Sequence, residues 1–230
     1  MKLKYWFAAG AVCVCLTRGA SAQEPVVPHL VRDGVITQVL VNPRGEPDGL
    51  VLRDGTLVRF PPHALQDGAA LRVGAQVRAE GEPGTTPNGI TLFDARVSGG
   101  GHVLADAALS PPAAPRPPPA AGPDSDLQAQ RASGIVRTLL ASPDGVIDGF
   151  ILEDGTVVHA GPHARLSRLG VIAGSKVVVT GLGGAYPQGR SLRAETLQVN
   201  GGPAYQIGPR VPAPPPAGHA PIAPAPITPR

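Results

Sequence analysis

The chain has 230 residues, 42% of them hydrophobic but only 3% aromatic, with 30 glycines, 28 prolines and two cysteines. Its formal charge of +3 comes from 20 basic and 17 acidic side chains. That composition excludes a disulfide scaffold, and it leaves nucleic-acid binding without the dense basic and aromatic surface it uses.

The N-terminus reads as a secretory signal. Lys2 and Lys4 precede an apolar run from Tyr5 to Leu16, and Ala20-Ser21-Ala22 supplies the small residues of a cleavage site. The expectation is a signal peptide over residues 1–22 and a mature chain beginning at Gln23, periplasmic or secreted. The run is too short for a hydrocarbon core that takes about 20 residues, and no later stretch replaces it, so no transmembrane segment is expected. Cys13 and Cys15 both lie in this segment, so the mature chain would carry no thiol. Losing Lys2, Lys4 and Arg18 takes the 20 basic side chains to 17, equal to the 17 acidic ones. The precursor's basic excess is thus a property of the signal, and nucleic acid is disfavoured as a partner.

After a lead over 23–33, the stretch GVITQVLVNPRGEPDGLVLRDGTLVRFPPHA from Gly34 aligns with GIVRTLLASPDGVIDGFILEDGTVVHAGPHA from Gly134, one hundred residues on. Pro43/Pro143, Gly45/Gly145, Asp48/Asp148, Asp54/Asp154, Gly55/Gly155 and His63/His163 are identical pairs. This internal duplication predicts two modules, 34–99 and 134–200. Within the first, strands are expected at 34–42, 48–53 and 56–60, the last two joined by a tight Asp54-Gly55 hairpin with positive φ at both positions. Pro61 and Pro62 stop the third strand. A helical turn or short helix is expected over 64–71, weakened by Gly68, followed by strands at 75–82 and from about 90 to Ser98. The second module repeats the pattern, with the short helix at 164–172. Gly99-Gly100-Gly101 and Gly183-Gly184 read as loops. A proline- and alanine-rich linker over 100–133 and a like tail over 201–230 have too little apolar bulk for a core.

Three strands, a short helix or turn, and two more strands in about 65 residues is the order of a five-stranded Greek-key barrel. The expected fold class is therefore all-β, with two tandem OB-like barrels; an SH3-like barrel or an open sandwich is the alternative. The chain resembles bacterial periplasmic OB-fold families through the pattern G-x-[VI]…G-x-x-x-G-[FL]-x-L-x-D-G-T…P-H, which falls on Gly34–His63 and Gly134–His163. The resemblance covers both modules and neither proline-rich segment. It implies the fold and small exported proteins of largely unknown function, and it carries no functional residues with it. A module of this size buries only about 60% of the surface its unfolded chain exposes. The two modules are therefore expected to pack together or self-associate.

No nucleophile motif, P-loop, zinc-protease motif or dinucleotide fingerprint is present, so no enzyme and no cofactor are expected. The turn aspartates sit beside glycines, where their side chains bond nearby amides. His63 and His163 occupy equal positions, and His159 lies four residues before His163. The candidate ligand-binding residues are Arg59, Phe60, His63, Phe150, His159 and His163, on or after strands 2 and 3, the usual binding face of such barrels. The leading expectation is a non-enzymatic exported binding module whose partner is a protein or an envelope glycan. The alternative is a periplasmic metal-binding protein using His159 and His163 together with His63, with His29, His102 and His219 in reserve, although Arg59 stands where a matching histidine would complete the pair in the first copy.

Overall fold

The computed structural model describes residues 29–87, 89–109 and 127–209. The signal peptide, most of the N-terminal lead, the central part of the linker, Asn88 and the tail from 210 lie outside the described residues.

The first module runs β1 (Leu30–Val41), β2 (Pro47–Leu52), β3 (Leu57–Arg59), a 3-10 turn (Pro62–Ala64), β4 (Gln76–Thr86), β5 (Gly89–Gly99) and β6 (His102–Asp106). The second runs β7 (Gln128–Ala141), β8 (Ile147–Leu152), β9 (Val157–His159), 3-10 turns at Pro162–Ala164 and Leu166–Leu169, β10 (Lys176–Tyr186), β11 (Gly189–Val199) and β12 (Ala204–Gln206). β1 pairs antiparallel with β4 through its first half and with β2 through its second. Its register shifts between Ile36 and Gln38, where the long strand bends from one side of the barrel to the other. β3 closes the cylinder by pairing in parallel with β5, Leu57 opposite Thr91 and Val58 opposite Leu92. β7 to β11 repeat every pairing. The chain is all-β, two closed five-stranded barrels with OB-like strand order.

Closure depends on backbones crossing closely, and at Gly181 a Cβ would stand 1.9 Å from the Arg193 carbonyl oxygen across the β10–β11 pair. Only glycine permits that approach.

Four details differ from the sequence expectation, the first being that Gly183-Gly184, expected as a loop, lies inside β10 and pairs with Leu192 and Ser191. The β2–β3 hairpin is where Asp54-Gly55 places it, but only Gly55 has positive φ (+87°). Gly55 N–H bonds Leu52 O at 3.0 Å and Leu52 N–H bonds Thr56 O at 2.9 Å, a three-residue loop ending in a glycine bulge. Asp54 keeps negative φ because its carboxylate is engaged forward, accepting from Thr56 N–H at 2.9 Å. The short-helix option over 64–71 and 164–172 gives way to 3-10 turns. Arg165 adopts φ +49° between the two turns of module 2, and Asp67 Oδ1 in module 1 takes the Ala69 and Ala70 amides at 3.1 and 3.2 Å, satisfying the segment locally. Each barrel also carries a sixth strand. β6 pairs with β5 and β12 with β11, Asp106 opposite Arg96 and Gln206 opposite Thr196, so the duplication extends one strand further than its identical residues show.

Each barrel has its own apolar interior, centred on Ile36, Leu50, Leu52 and Leu92 in one and on Val136, Phe150, Leu152 and Leu192 in the other. A third cluster belongs to neither. Leu40, Leu57, Leu140, Ile151 and Val157 are buried together with Val51 against them. These are the same three positions taken from each module: 40/140, 51/151 and 57/157. The modules therefore meet as the halves of an isologous dimer do, about a pseudo-two-fold axis. Fully burying each such side chain is worth about 1.5–3 kcal/mol relative to exposure, which joins the two small barrels into one packed body.

Candidate functional site

Two clefts flank the pseudo-two-fold axis, and each is built from the same parts. In the larger, with a volume of about 660 Å³, the β1–β2 turn of module 1 (Asn42–Arg44) faces the end of β9 in module 2 (His159–Gly161). In the smaller, about 250 Å³, the β7–β8 turn of module 2, with Ser142 and Pro143, faces the end of β3 in module 1 (Arg59–Pro62). The turn geometry is common to both: Gly45 and Gly145 N–H close the turns onto Asn42 O and Ser142 O, each at 2.9 Å.

Their chemistry is opposite. The larger cleft adds His163, Arg193, Leu127 and Ile207, and its lining holds two arginines and two histidines with no carboxylate, hydroxyl or thiol. The smaller adds Phe93, Asp48, Asp94 and Asp148, so that three carboxylates face one arginine.

His159 is the pivot between modules. Its Nε2–H donates to the Val41 carbonyl at 3.1 Å, from β9 of one barrel to the end of β1 in the other. Burial holds its pKa below 6.5, opposed by the negative charge of Asp48 and by the Val41 hydrogen bond. Arg59 lowers it further and Asp148 raises it, so these four charged or titratable groups share the space about the axis. The imidazole is neutral at pH 7 and serves as a hydrogen-bond donor.

Tyr186 and Gln38 complete the junction. The Tyr186 hydroxyl, at the tip of the β10–β11 hairpin, donates to the Pro43 carbonyl. Its ring packs so closely on Gly45 that a Cβ there would lie 2.4 Å from it. Gln38 Nε2 donates to Gly155 O at 2.7 Å, and its Oε1 accepts from Arg137.

The six residues singled out from sequence fall into separate places. His159 and His163 do converge on one cleft, His159 at its base and His163 exposed on the 3-10 turn. With Nε2 of His159 committed to Val41, and no group of three His, Cys, Asp or Glu side chains arranged for a metal among the described residues, the two make a lining rather than a closed metal site. Arg59 sits in the smaller cleft, 3.9 Å from Asp48 Oδ2. Phe150 is a correction: it is wholly buried inside the second barrel and presents no ring to a ligand, because β8 turns that side inward. Phe60 is also a core residue, 3% exposed, and reaches only the wall of the smaller cleft. His63 is exposed on its turn and lines neither cleft.

Sequence reasoning passed over Gln38, Tyr186, Arg193 and the acids of the smaller cleft. The signal for Gln38, Tyr186, Arg193 and Asp94 lies in the unequal pairs of the duplication, Gln38/Thr138, Thr86/Tyr186, Phe93/Arg193 and Asp94/Ala194, with Arg59/His159 beside them; Asp48 and Asp148 are an identical pair and give no such signal. The unequal positions join the modules or make the two clefts differ, while identical ones such as Pro43/Pro143 and Asp48/Asp148 serve the fold and a cleft together.

Compared with protein-family models, with curated proteins and with solved structures, the chain finds no match in any of the three.

Proposed function

We propose that this chain is an exported, non-enzymatic binding protein of the periplasmic OB-fold kind, and that its larger intermodule cleft holds an extended, apolar and acidic segment of a partner protein. One observation carries the reading: an apolar cleft of about 660 Å³ whose only charged or titratable lining groups are Arg44, Arg193, His159 and His163. Volumes of about 300–1,000 Å³ are those of ligand sites, and a few placed polar groups in an apolar wall give such sites their specificity. The cationic lining selects for carboxylates on the partner, while the rim position of Arg44 favours an effect on association rate and salt dependence. The lining of this cleft carries no carboxylate, hydroxyl or thiol, and Nε2 of His159 is committed to the Val41 carbonyl, so the reading is binding rather than catalysis.

The test uses residues 23–230 and a fluorescein-labelled peptide of alternating leucine and glutamate with a central proline. Its lysine-for-glutamate counterpart and soluble peptidoglycan fragments serve as competitors. The expected result is saturable anisotropy with the acidic peptide, weakened by salt and by roughly tenfold in Arg44→Glu, as loss and reversal of one charge contact implies. Equal binding of the lysine peptide overturns the reading. Displacement by peptidoglycan fragments alone replaces a protein partner by an envelope glycan. Proton release on adding Zn²⁺, lost in His163→Ala, would put the metal reading in its place.

A further inference from the structure

We propose that the smaller intermodule cleft is a second and separate binding site, shaped for a single cationic side chain, an alkylammonium or guanidinium presented by a peptide or protein. It rests on a different cleft from the function above and stands or falls independently of it.

The charge of the lining is the first ground. Asp48, Asp94 and Asp148 face only Arg59, a formal −2 in a cleft of about 250 Å³. That volume lies below the usual range of about 300–1,000 Å³ for whole small-molecule ligands and suits one side chain.

The second ground is a missing hydrogen-bond partner. Asp48 is 8% exposed, and its Oδ1 is buried with no donor. Arg59 does not supply one, since its nearest approach is to the other oxygen, at 3.9 Å. A buried carboxylate oxygen without a donor is costly and rare in folded proteins. Here it belongs to a residue lining an open cleft, and a turn of the carboxylate about its soft terminal torsion brings this oxygen to an N–H of an incoming cation.

The third ground is apolar. Phe60 and Phe93 form part of the same wall, 3% and 6% exposed, and aromatic carbon beside carboxylates is the setting in which the stem and head of a lysine or arginine are both accommodated. The corresponding positions across the axis are Ala160 and Arg193, and Asp94 corresponds to Ala194, so the combination is private to this cleft.

The resident arginine makes the proposal directional. Arg59 competes with any incoming cation for Asp48, so its removal strengthens binding, whereas removal of either acid weakens it.

The experiment is an NMR titration of ¹⁵N-labelled residues 23–230 with Nα-acetyl-arginine amide and Nα-acetyl-lysine amide. Their neutral counterpart, Nα-acetyl-citrulline amide, is the control. Expected are saturable shifts confined to amides at Phe60, Asp94 and Ser142, in the millimolar range and weakened by salt. Asp48→Asn reduces the affinity roughly tenfold or more, as loss of a charge-assisted hydrogen bond implies. Arg59→Gln raises it several-fold, and His163→Ala, in the other cleft, leaves it unchanged. Should Asp48→Asn fail to fold, Asp148→Asn and Arg59→Gln carry the same test. Equal shifts with the citrulline amide overturn the proposal. So does unchanged affinity in the folded acid variants, or weaker binding in Arg59→Gln.

Discussion

Nε2–H of His159, in the second barrel, donates to the carbonyl of Val41, in the first, at 3.1 Å. At the equivalent place the residues are Ala141 and Arg59, and the Arg59 guanidinium turns instead towards Asp48 of its own barrel, 3.9 Å from Oδ2. The hydrogen bond across the axis is thus made in one direction only, from the second barrel to the first.

That relationship sets a pH dependence. Burial depresses the folded pKa of His159 below its ordinary 6.5. Below about pH 6.5 the unfolded chain therefore binds a proton that the folded chain refuses, and stability falls as pH falls from there towards the depressed value. Above that window this residue contributes no slope. Urea unfolding between pH 5 and pH 8 should show the loss on acidification, and His159→Gln should flatten it. His159→Leu, which leaves the Val41 carbonyl without its donor, should lose about 1–3 kcal/mol even at pH 8.

The shared apolar cluster predicts coupled unfolding. Leu40 and Leu140 are each 1% exposed, so Leu40→Ala and Leu140→Ala should each cost about 2–5 kcal/mol. Because the two positions are equivalent across the axis, their costs should be similar. Leu40→Asp places a charge in the cluster and should split one calorimetric transition into two, one for each barrel. A single transition retained in Leu40→Asp would show that the contact does not couple them.

Two equivalent glycines should respond unequally. Both Gly45 and Gly145 hold positive φ, +85° and +79°, so alanine at either pays a backbone strain of about 1 kcal/mol. Only at Gly45 would the new Cβ strike the Tyr186 ring; at Gly145 nothing stands within 4 Å. Gly45→Ala should therefore lower the thermal midpoint by several degrees more than Gly145→Ala. Tyr186→Ala in the same background should remove most of that difference, and a double-mutant cycle measures the coupling.

Much of the barrel was legible because its determinants are local. Asp54-Gly55 and Asp154-Gly155 marked the hairpins, proline after β3 and β9 marked their ends, and the hundred-residue offset tied the two readings together. The turn type was missed because the bond from Asp54 to the Thr56 amide, which keeps Asp54 at negative φ, leaves no trace in a dipeptide. β6 and β12 were missed because His102–Asp106 and Ala204–Gln206 follow glycine-rich turns and adjoin proline-rich chain, which masked a short strand in each. Half of the interface was visible in outline: Val39-Leu40-Val41 and Leu50-Val51-Leu52 are apolar on both faces, more than one barrel interior takes up. The clefts were not legible, since they exist only once two barrels are placed about an axis. Residues far apart in the chain, such as Pro43 and Tyr186, then become neighbours.

The isologous junction has a consequence for how such a protein changes. Were the two barrels separate copies of one protomer, any altered residue at the axis would be written into both clefts at once. Joined in one chain, position 59 is free to differ from 159, and 93 from 193. The two clefts then vary independently, while the packed positions 40/140, 51/151 and 57/157 still answer to one shared geometry.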